Sequence, residues 1–338
     1  MKIALWWKPY KDKKVRCYLC RHHCVVYPGQ AGVCQVRVNR EGALYSLVYA
    51  RPIAVHVDPI EKKPLFHFLP SSRALSIATV GCNFRCANCQ NWDISQYRYD
   101  GSNIVPGEYM PPEEVVEVAE RTSSQVIAYT YTEPTIFWEY VLDTAKLAKK
   151  KGLKNILVTN GYITEEALKD GDGLIDAANV DFKSMRKEFY AKVVKARLDR
   201  FLDGLRALFK HLPWLEVTTL IIPGFNDSEE EIREIARFIV QELSPAVPWH
   251  ISRFHPAYKM SYLPPTPTRT INRAVEIGYE EGLRFVYAGN IPTSPYETTY
   301  CPKCQTPLIR RAGFEVVENR LADGKCPICG EPIEGVWK

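Results

Sequence analysis

No apolar run in the 338-residue sequence approaches the roughly 18 residues that a membrane-spanning helix needs, so membrane insertion is not expected. The apolar stretch at 3–7 is too short for a signal-peptide core and runs into Lys8-Pro9 without a cleavage site, which makes the cytoplasm the expected compartment. Net charge is scarce as well. Lys and Arg total 44 against 39 Asp and Glu, a balance of +5, and clusters such as Lys149-Lys150-Lys151 and Arg310-Arg311 read as solvated faces rather than a nucleic-acid surface. Glutamine is rare, at seven residues beside many Lys and Glu, a bias shared with heat-adapted chains.

Cysteine is plentiful by contrast. Eleven cysteines in a reducing compartment argue against a disulfide framework and for metal binding or catalysis. They form three groups with none left over: Cys17, Cys20, Cys24 and Cys34; Cys82, Cys86 and Cys89; Cys301, Cys304, Cys326 and Cys329.

Between residues 74 and 286, short β-branched or apolar runs alternate with longer helical patterns, the signature of βα units in a parallel sheet. Strands are expected at 74–80, 126–131, 155–160, 175–182, 215–222 and 249–252, with a further one at 283–287. Helix signals follow them: Pro111-Pro112 before Glu113-Glu114, a helix over 136–151 ending at Gly152, and Ser228 with Glu231 as a capping box. The expected fold is α/β, a partial (β/α)6 barrel over 74–295 between two small cysteine-rich modules, 1–73 and 296–338. Functional groups in such a barrel sit on the loops at the strands' C-terminal ends.

Cys301-Pro-Lys-Cys304 and Cys326-Pro-Ile-Cys329 are two knuckles with the spacing of a zinc ribbon, and four thiolates satisfy Zn²⁺ completely. The C-x2-C-x3-C-x9-C pattern from Cys17 to Cys34 matches neither a standard zinc finger nor the usual ferredoxin run, so structural zinc and a second iron–sulfur cluster both stay open there.

The C-x3-C-x2-C of Cys82, Cys86 and Cys89 follows the first strand of the repeat directly. Three thiolates on a [4Fe-4S] cluster leave one iron open to substrate. A zinc site completed by His56 or His67 is the competing reading. The pattern resembles the hallmark of the radical S-adenosylmethionine (SAM) superfamily, in which the reduced cluster splits SAM into methionine and a 5′-deoxyadenosyl radical that abstracts hydrogen. The aromatic residue usual before the third cysteine is replaced by Asn88, with Trp92 and Phe84 as the nearby aromatic candidates.

Further strand ends resemble pyruvate formate-lyase activating enzyme. Tyr131-Thr132-Glu133-Pro134 is similar to its Gly-Gly-Glu-Pro, which implies that Glu133 grips the SAM amino group; a Glu capping the next helix is the plainer alternative. Val158-Thr159-Asn160-Gly161 and Asp181-Phe182-Lys183 resemble its Thr-Asn-Gly and Asp-Leu-Lys, which implies places for Thr159, Asp181 and Lys183 near the SAM carboxylate, against a structural Asp181–Lys183 salt bridge. Pro223-Gly224 resembles its Val-Pro-Gly turn, and Phe254-His255-Pro256 a Tyr-His-Pro segment that implies a SAM contact for His255.

With Tyr287-Ala288-Gly289-Asn290 and the outer cysteine groups, the chain resembles most closely the radical SAM enzyme of the AmmeMemoRadiSam system. This implies SAM cleavage and hydrogen abstraction from an unidentified substrate, a reductant such as ferredoxin or flavodoxin, and Memo-like and AMMECR1-like associates. Activation of a partner protein as a glycyl radical is one expectation. Radical modification of a small molecule or macromolecule is another, and a non-catalytic metal or electron-transfer protein is the third.

Overall fold

Strands buried on both faces need apolar side chains at successive positions, and the β-branched runs form such strands here. The computed structural model describes residues 1–291 and 295–338; residues 292–294, within the span expected for the catalytic domain, lie outside the described residues. One eight-stranded sheet organises the chain: β1 (Ala54–Pro59), β2 (Arg73–Ala78), β3 (Val126–Tyr129), β4 (Lys154–Thr159), β5 (Ala177–Asp181), β6 (Trp214–Ile221), β7 (Trp249–Arg253) and β8 (Val286–Gly289). Each strand pairs with its neighbours in sequence, and among the described residues β8 does not pair with β1, so the sheet stays open. All pairings from β2 to β8 are parallel. The expected α/β architecture is the observed one.

β1 lies antiparallel on β2, with Ala54 opposite Ala78 and Pro59 opposite Arg73. No strand was expected in this segment, whose Ala-Val-His-Val-Asp-Pro sequence places His56 and Asp58 within the run. Asp58 is compatible with a buried strand because it is paired: it accepts from Lys63 Nζ at 2.6 Å and Ser76 Oγ at 2.8 Å.

Helices α1 (Pro112–Arg121), α2 (Trp138–Lys150), α3 (Glu165–Lys169), α4 (Leu198–His211), α5 (Glu229–Phe238) and α6 (Thr268–Glu280) cover the connections. α1 begins with Pro112 inside its first turn, where the missing N–H costs nothing. At α5, Ser228 caps the amide of Glu231 at 3.3 Å, but the reciprocal half of the expected capping box does not form. The Glu231 carboxylate instead accepts from Met185 N at 3.1 Å and from the Ser184 hydroxyl, because the buried loop after β5 presents donors to it.

Two three-stranded sheets build the N-terminal region: Lys2–Ile3, Ala43–Ser46 and Arg37–Arg40 form one, and Trp7–Pro9, Val15–Cys17 and Val25–Val26 the other. Their Val15, Val38 and Leu44, with Val36 just before the Arg37–Arg40 strand, join the same apolar core as the main sheet. A buried ion pair crosses the boundary, with Arg37 Nη1 at 2.8 Å from Glu139 of α2. The C-terminal strands Thr299–Tyr300, Pro307–Ala312 and Glu315–Asn319 share a smaller core with Phe66, Phe285 and Tyr287. Arg311 fastens this hairpin to the sheet, donating to Phe66 O at 2.7 Å with its guanidinium 4.1 Å from the Phe66 ring centre. Among the described residues no helix is long and apolar enough to cross a membrane.

Candidate active site

A cavity of about 810 Å³ opens at the C-terminal ends of the parallel strands, and Cys82, Cys86 and Cys89 all line it. The loop that carries them can turn there because Gly81 adopts φ +93° and a Cβ at that position would meet Cys34 O at 2.8 Å. Arg85 N and Ala87 N donate to Val194 O and Val193 O at 3.0 and 2.9 Å, which pins the loop to the turn after β5. Phe84 N donates to Cys82 Sγ at 3.3 Å, and Cys89 Sγ lies 3.1 Å from Ser95 Oγ. Burial pushes the free Cys86 thiol up to about 11 despite the opposing charge of Lys183. Coordination to a metal deprotonates such thiols outright, so three of them on one cavity wall, with an amide hydrogen bond to sulfur, suit an iron–sulfur cluster.

Glu133 follows β3 and is buried. Its Oε1 accepts from Thr135 N at 3.0 Å, Thr159 Oγ1 at 2.7 Å and Thr135 Oγ1; its Oε2 accepts from Asn160 N at 2.7 Å. Each carboxylate oxygen offers about two acceptor positions, and Oε2 is used only by Asn160 N, so one position on Oε2 is left for a further donor. Burial raises the Glu133 pKa above its ordinary value, against these hydrogen bonds. Thr159 ends β4 and Asn160 follows it; Asn160 Nδ2 donates to Asn83 Oδ1 at 2.7 Å, tying that strand end to the cysteine loop.

At the end of β5, Lys183 Nζ donates to Asp181 Oδ2 at 2.9 Å, and both residues line the cavity. Burial disfavours the lysine's charge, but Asp181 and then Cys86 outweigh it and raise its pKa. The turn at Pro223-Gly224 holds Lys183 in place through Asn226 Nδ2, which donates to Lys183 O at 2.7 Å.

Glu133, Thr159, Asp181 and Lys183 thus share one cavity with the three cysteines. His255 does not join them: it is exposed and is not among the lining residues. His250, five residues earlier on β7, lines the cavity instead. Phe84 lines it too, while Trp92 stacks on Tyr258 with ring centres 5.3 Å apart.

Sequence reading missed a polar network under this site. Glu216 on β6 is buried and accepts from His250 Nε2 at 2.6 Å, His67 N at 2.8 Å and Trp214 Nε1 at 2.9 Å. Burial opposes its charge, yet His250 and His67 hold its pKa below the ordinary value. A second missed group is Asp58 with Lys62, Lys63 and the Tyr131 hydroxyl, of which both lysines and Tyr131 line the cavity. The alternation of strand residues was the available signal: Glu216 and His250 each stand between apolar residues, at buried positions of β6 and β7.

In the C-terminal set, the sulfurs of Cys301, Cys304, Cys326 and Cys329 all lie within 4.8 Å of one another, and Cys301–Cys329 and Cys304–Cys326 are 3.6 Å apart. A tetrahedral ion with sulfur bonds of about 2.3 Å requires sulfur separations of about 3.8 Å, so the set fits a single ion. This module also reaches the cavity, which Glu297, Gly313 and Phe314 line.

An open, parallel-dominated α/β sheet with three cysteines on the loop after its first parallel strand defines the class. Residues 76–239 match the radical SAM superfamily, to which the chain belongs. The chain is 44% identical over 336 residues to the uncharacterized protein MJ0808 of Methanocaldococcus jannaschii, covering 99% of both. It is 26% identical over 168 residues to the pyruvate formate-lyase-activating enzyme of Clostridium pasteurianum, covering 47% of this chain and 66% of that protein. In fold it is similar to Streptococcus suis SuiB, with a TM-score of 0.50 at 11% identity over 68% of this chain and 52% of that one. The chain is therefore a radical SAM enzyme related to activating enzymes.

Proposed function

We propose that the chain binds SAM across the cavity, against a [4Fe-4S] cluster held by Cys82, Cys86 and Cys89, and abstracts hydrogen from a partner protein in the manner of a glycyl-radical activating enzyme. When bound, the cluster supplies one electron to SAM, whose cleavage gives the 5′-deoxyadenosyl radical. The chain's own residues bind and orient. The remaining acceptor position of Glu133 takes the SAM amino group, and Lys183, steered by Asp181 and beside Thr159, takes the carboxylate. His255 sits outside the cavity, so its contact with SAM requires a rearrangement of the 254–257 segment. The four C-terminal cysteines hold Zn²⁺ and stabilise their small module, and residues 1–73 and 296–338 flank the catalytic domain at 74–295.

The observation that carries this reading is the deficit of thiols: three cysteines, and among the described residues no fourth, line a cavity that also holds Glu133, Thr159, Asp181 and Lys183. Placement in the AmmeMemoRadiSam branch, with Memo-like and AMMECR1-like associates and a ferredoxin or flavodoxin donor, rests on the sequence resemblance. The test is anaerobic reconstitution with iron and sulfide, addition of SAM and dithionite, and assay of 5′-deoxyadenosine. The wild-type chain should form it and the Cys86→Ala chain should not; a loaded wild-type cluster that yields none would rule the proposal out.

A further inference from the structure

Cys17, Cys20, Cys24 and Cys34 line a second hollow, of about 20 Å³, walled also by Arg37, Thr135 and Ile136. Among the described residues, the C-terminal cysteines are the only set of three or more metal-ligating side chains whose ligand atoms all lie within 4.8 Å. The N-terminal set is therefore spread more widely than a single tetrahedral ion requires, since bonds of about 2.3 Å draw four sulfurs to about 3.8 Å. A cubane places one thiolate on each of four irons at separate corners, so its ligands stand farther apart around a central hollow. The sulfurs of Cys82, Cys86 and Cys89 likewise do not all lie within 4.8 Å of one another.

Two further observations concern the contents and position of this hollow. Arg37 is 2% exposed, lines the hollow, and has an Nε with no hydrogen-bond partner among the described residues. A buried N–H at that wall suits thiolate sulfurs and a net negative cluster. The hollow also lies against the active-site loop: Cys34 O is 2.8 Å from where a Cβ on Gly81 would stand, His22 Nε2 is 2.8 Å from Asn83 O, and Arg85 Nη2 donates to Val33 O at 2.6 Å. Thr135, in the wall of the hollow, donates through its N–H to Glu133 at 3.0 Å.

We infer that Cys17, Cys20, Cys24 and Cys34 ligate a second [4Fe-4S] cluster that relays electrons to the SAM-binding one. This rests on the proposed active-site cluster as the acceptor. In one relay step the second cluster, reduced by one electron from a low-potential donor such as ferredoxin or dithionite, is oxidised by one electron as the active-site cluster is reduced by one. No bond or proton is exchanged.

The test uses the full chain with Cys82, Cys86 and Cys89 all replaced by Ala, reconstituted anaerobically, so that the N-terminal ligands remain intact. The expected result is about four irons and four sulfides per chain, with a dithionite-reduced paramagnetic signal that SAM does not shift. Absence of sulfide, with one zinc more per chain than the C-terminal set binds, would overturn the inference. The complementary Cys17→Ser/Cys20→Ser chain should lose about four of roughly eight irons, keep a signal that SAM shifts, and lose rate in stopped-flow reduction of that signal by ferredoxin. An unchanged iron content or an unchanged reduction rate would overturn the inference. A missing SAM shift in the wild-type chain, beside the expected sulfide in the triple variant, would count against the active-site reading and leave the second cluster standing.

Discussion

The hydroxyl of Thr159 donates to Glu133 Oε1 at 2.7 Å, and through this bond the end of β4 fixes the carboxylate at the end of β3. Asn160 N, at 2.7 Å from Oε2, fixes its other side. Substituting Glu133→Gln replaces one oxygen by an NH₂ group that faces a donor, which should cost about 1–3 kcal/mol of stability. Loss of the charge should weaken SAM binding by about tenfold to a hundredfold, the equivalent of a hydrogen bond to a charged group. Urea unfolding and equilibrium SAM binding measure the two effects separately, and neither should be at the wild-type value.

Arg37 and Glu139 form an ion pair with both partners buried. Arg37→Met leaves the Glu139 carboxylate buried and unpaired, which should cost about 3–5 kcal/mol, whereas Arg37→Met/Glu139→Leu should recover most of that loss. Denaturant titration of the two variants checks this. A double variant as unstable as the single one would mean that Arg37 acts through something other than its charge.

His67 gives the stability a pH dependence. It is fully buried; its Nδ1 donates to Glu334 O at 2.7 Å and its Nε2 accepts from the Tyr287 hydroxyl at 2.6 Å, the pattern of a neutral ring. Burial lowers its pKa from 6.5 to about 4, against the opposing charge of Glu216. Below 6.5 the unfolded chain takes up the proton and the folded chain does not, so this contribution is present above 6.5 and lost as pH falls toward 4. At about 1.4 kcal/mol per pH unit the loss is about 3 kcal/mol. Unfolding free energies at pH 7 and 4.5 should show a fall that is smaller in a His67→Gln chain.

What was legible in the sequence and what was not divides by the range of the interaction. The strand runs, the Pro112 helix start, the Ser228 cap and the C-x3-C-x2-C loop are local patterns within a few residues, and each appears near its pattern, except that the strand expected at 283–287 begins three residues later, at Val286–Gly289. β1 was not expected, and its Asp58 is accommodated only through Lys63 and Ser76, which the fold brings around it. The Glu216–His67 contact joins residues 149 apart in sequence, and no periodicity shows such a pairing. Glu231 shows the same limit: its spacing from Ser228 suggests a capping box, but a distant loop takes its carboxylate. The Phe254-His255-Pro256 resemblance pointed to His255, whereas strand register turns His250 toward the cavity.

Metal removal at the C-terminus should be local in effect. If Cys301, Cys304, Cys326 and Cys329 hold the proposed Zn²⁺, chelation removes the source of folding energy for a module with a small core, worth about 10–16 kcal/mol in isolated zinc-finger peptides. Limited proteolysis after chelation should cut within 296–338 first, while the iron content remains. Release of iron before any such cut would place a ligand of the iron–sulfur centre in this module.

The central claim is that three cysteines leave one iron open to SAM. The direct measurement is pulsed electron–nuclear double resonance on the reduced, reconstituted chain with SAM carrying ¹⁵N in its amino group. A hyperfine coupling between that nitrogen and the cluster is the predicted result. SAM bound at full occupancy with no coupling to the cluster would contradict the account.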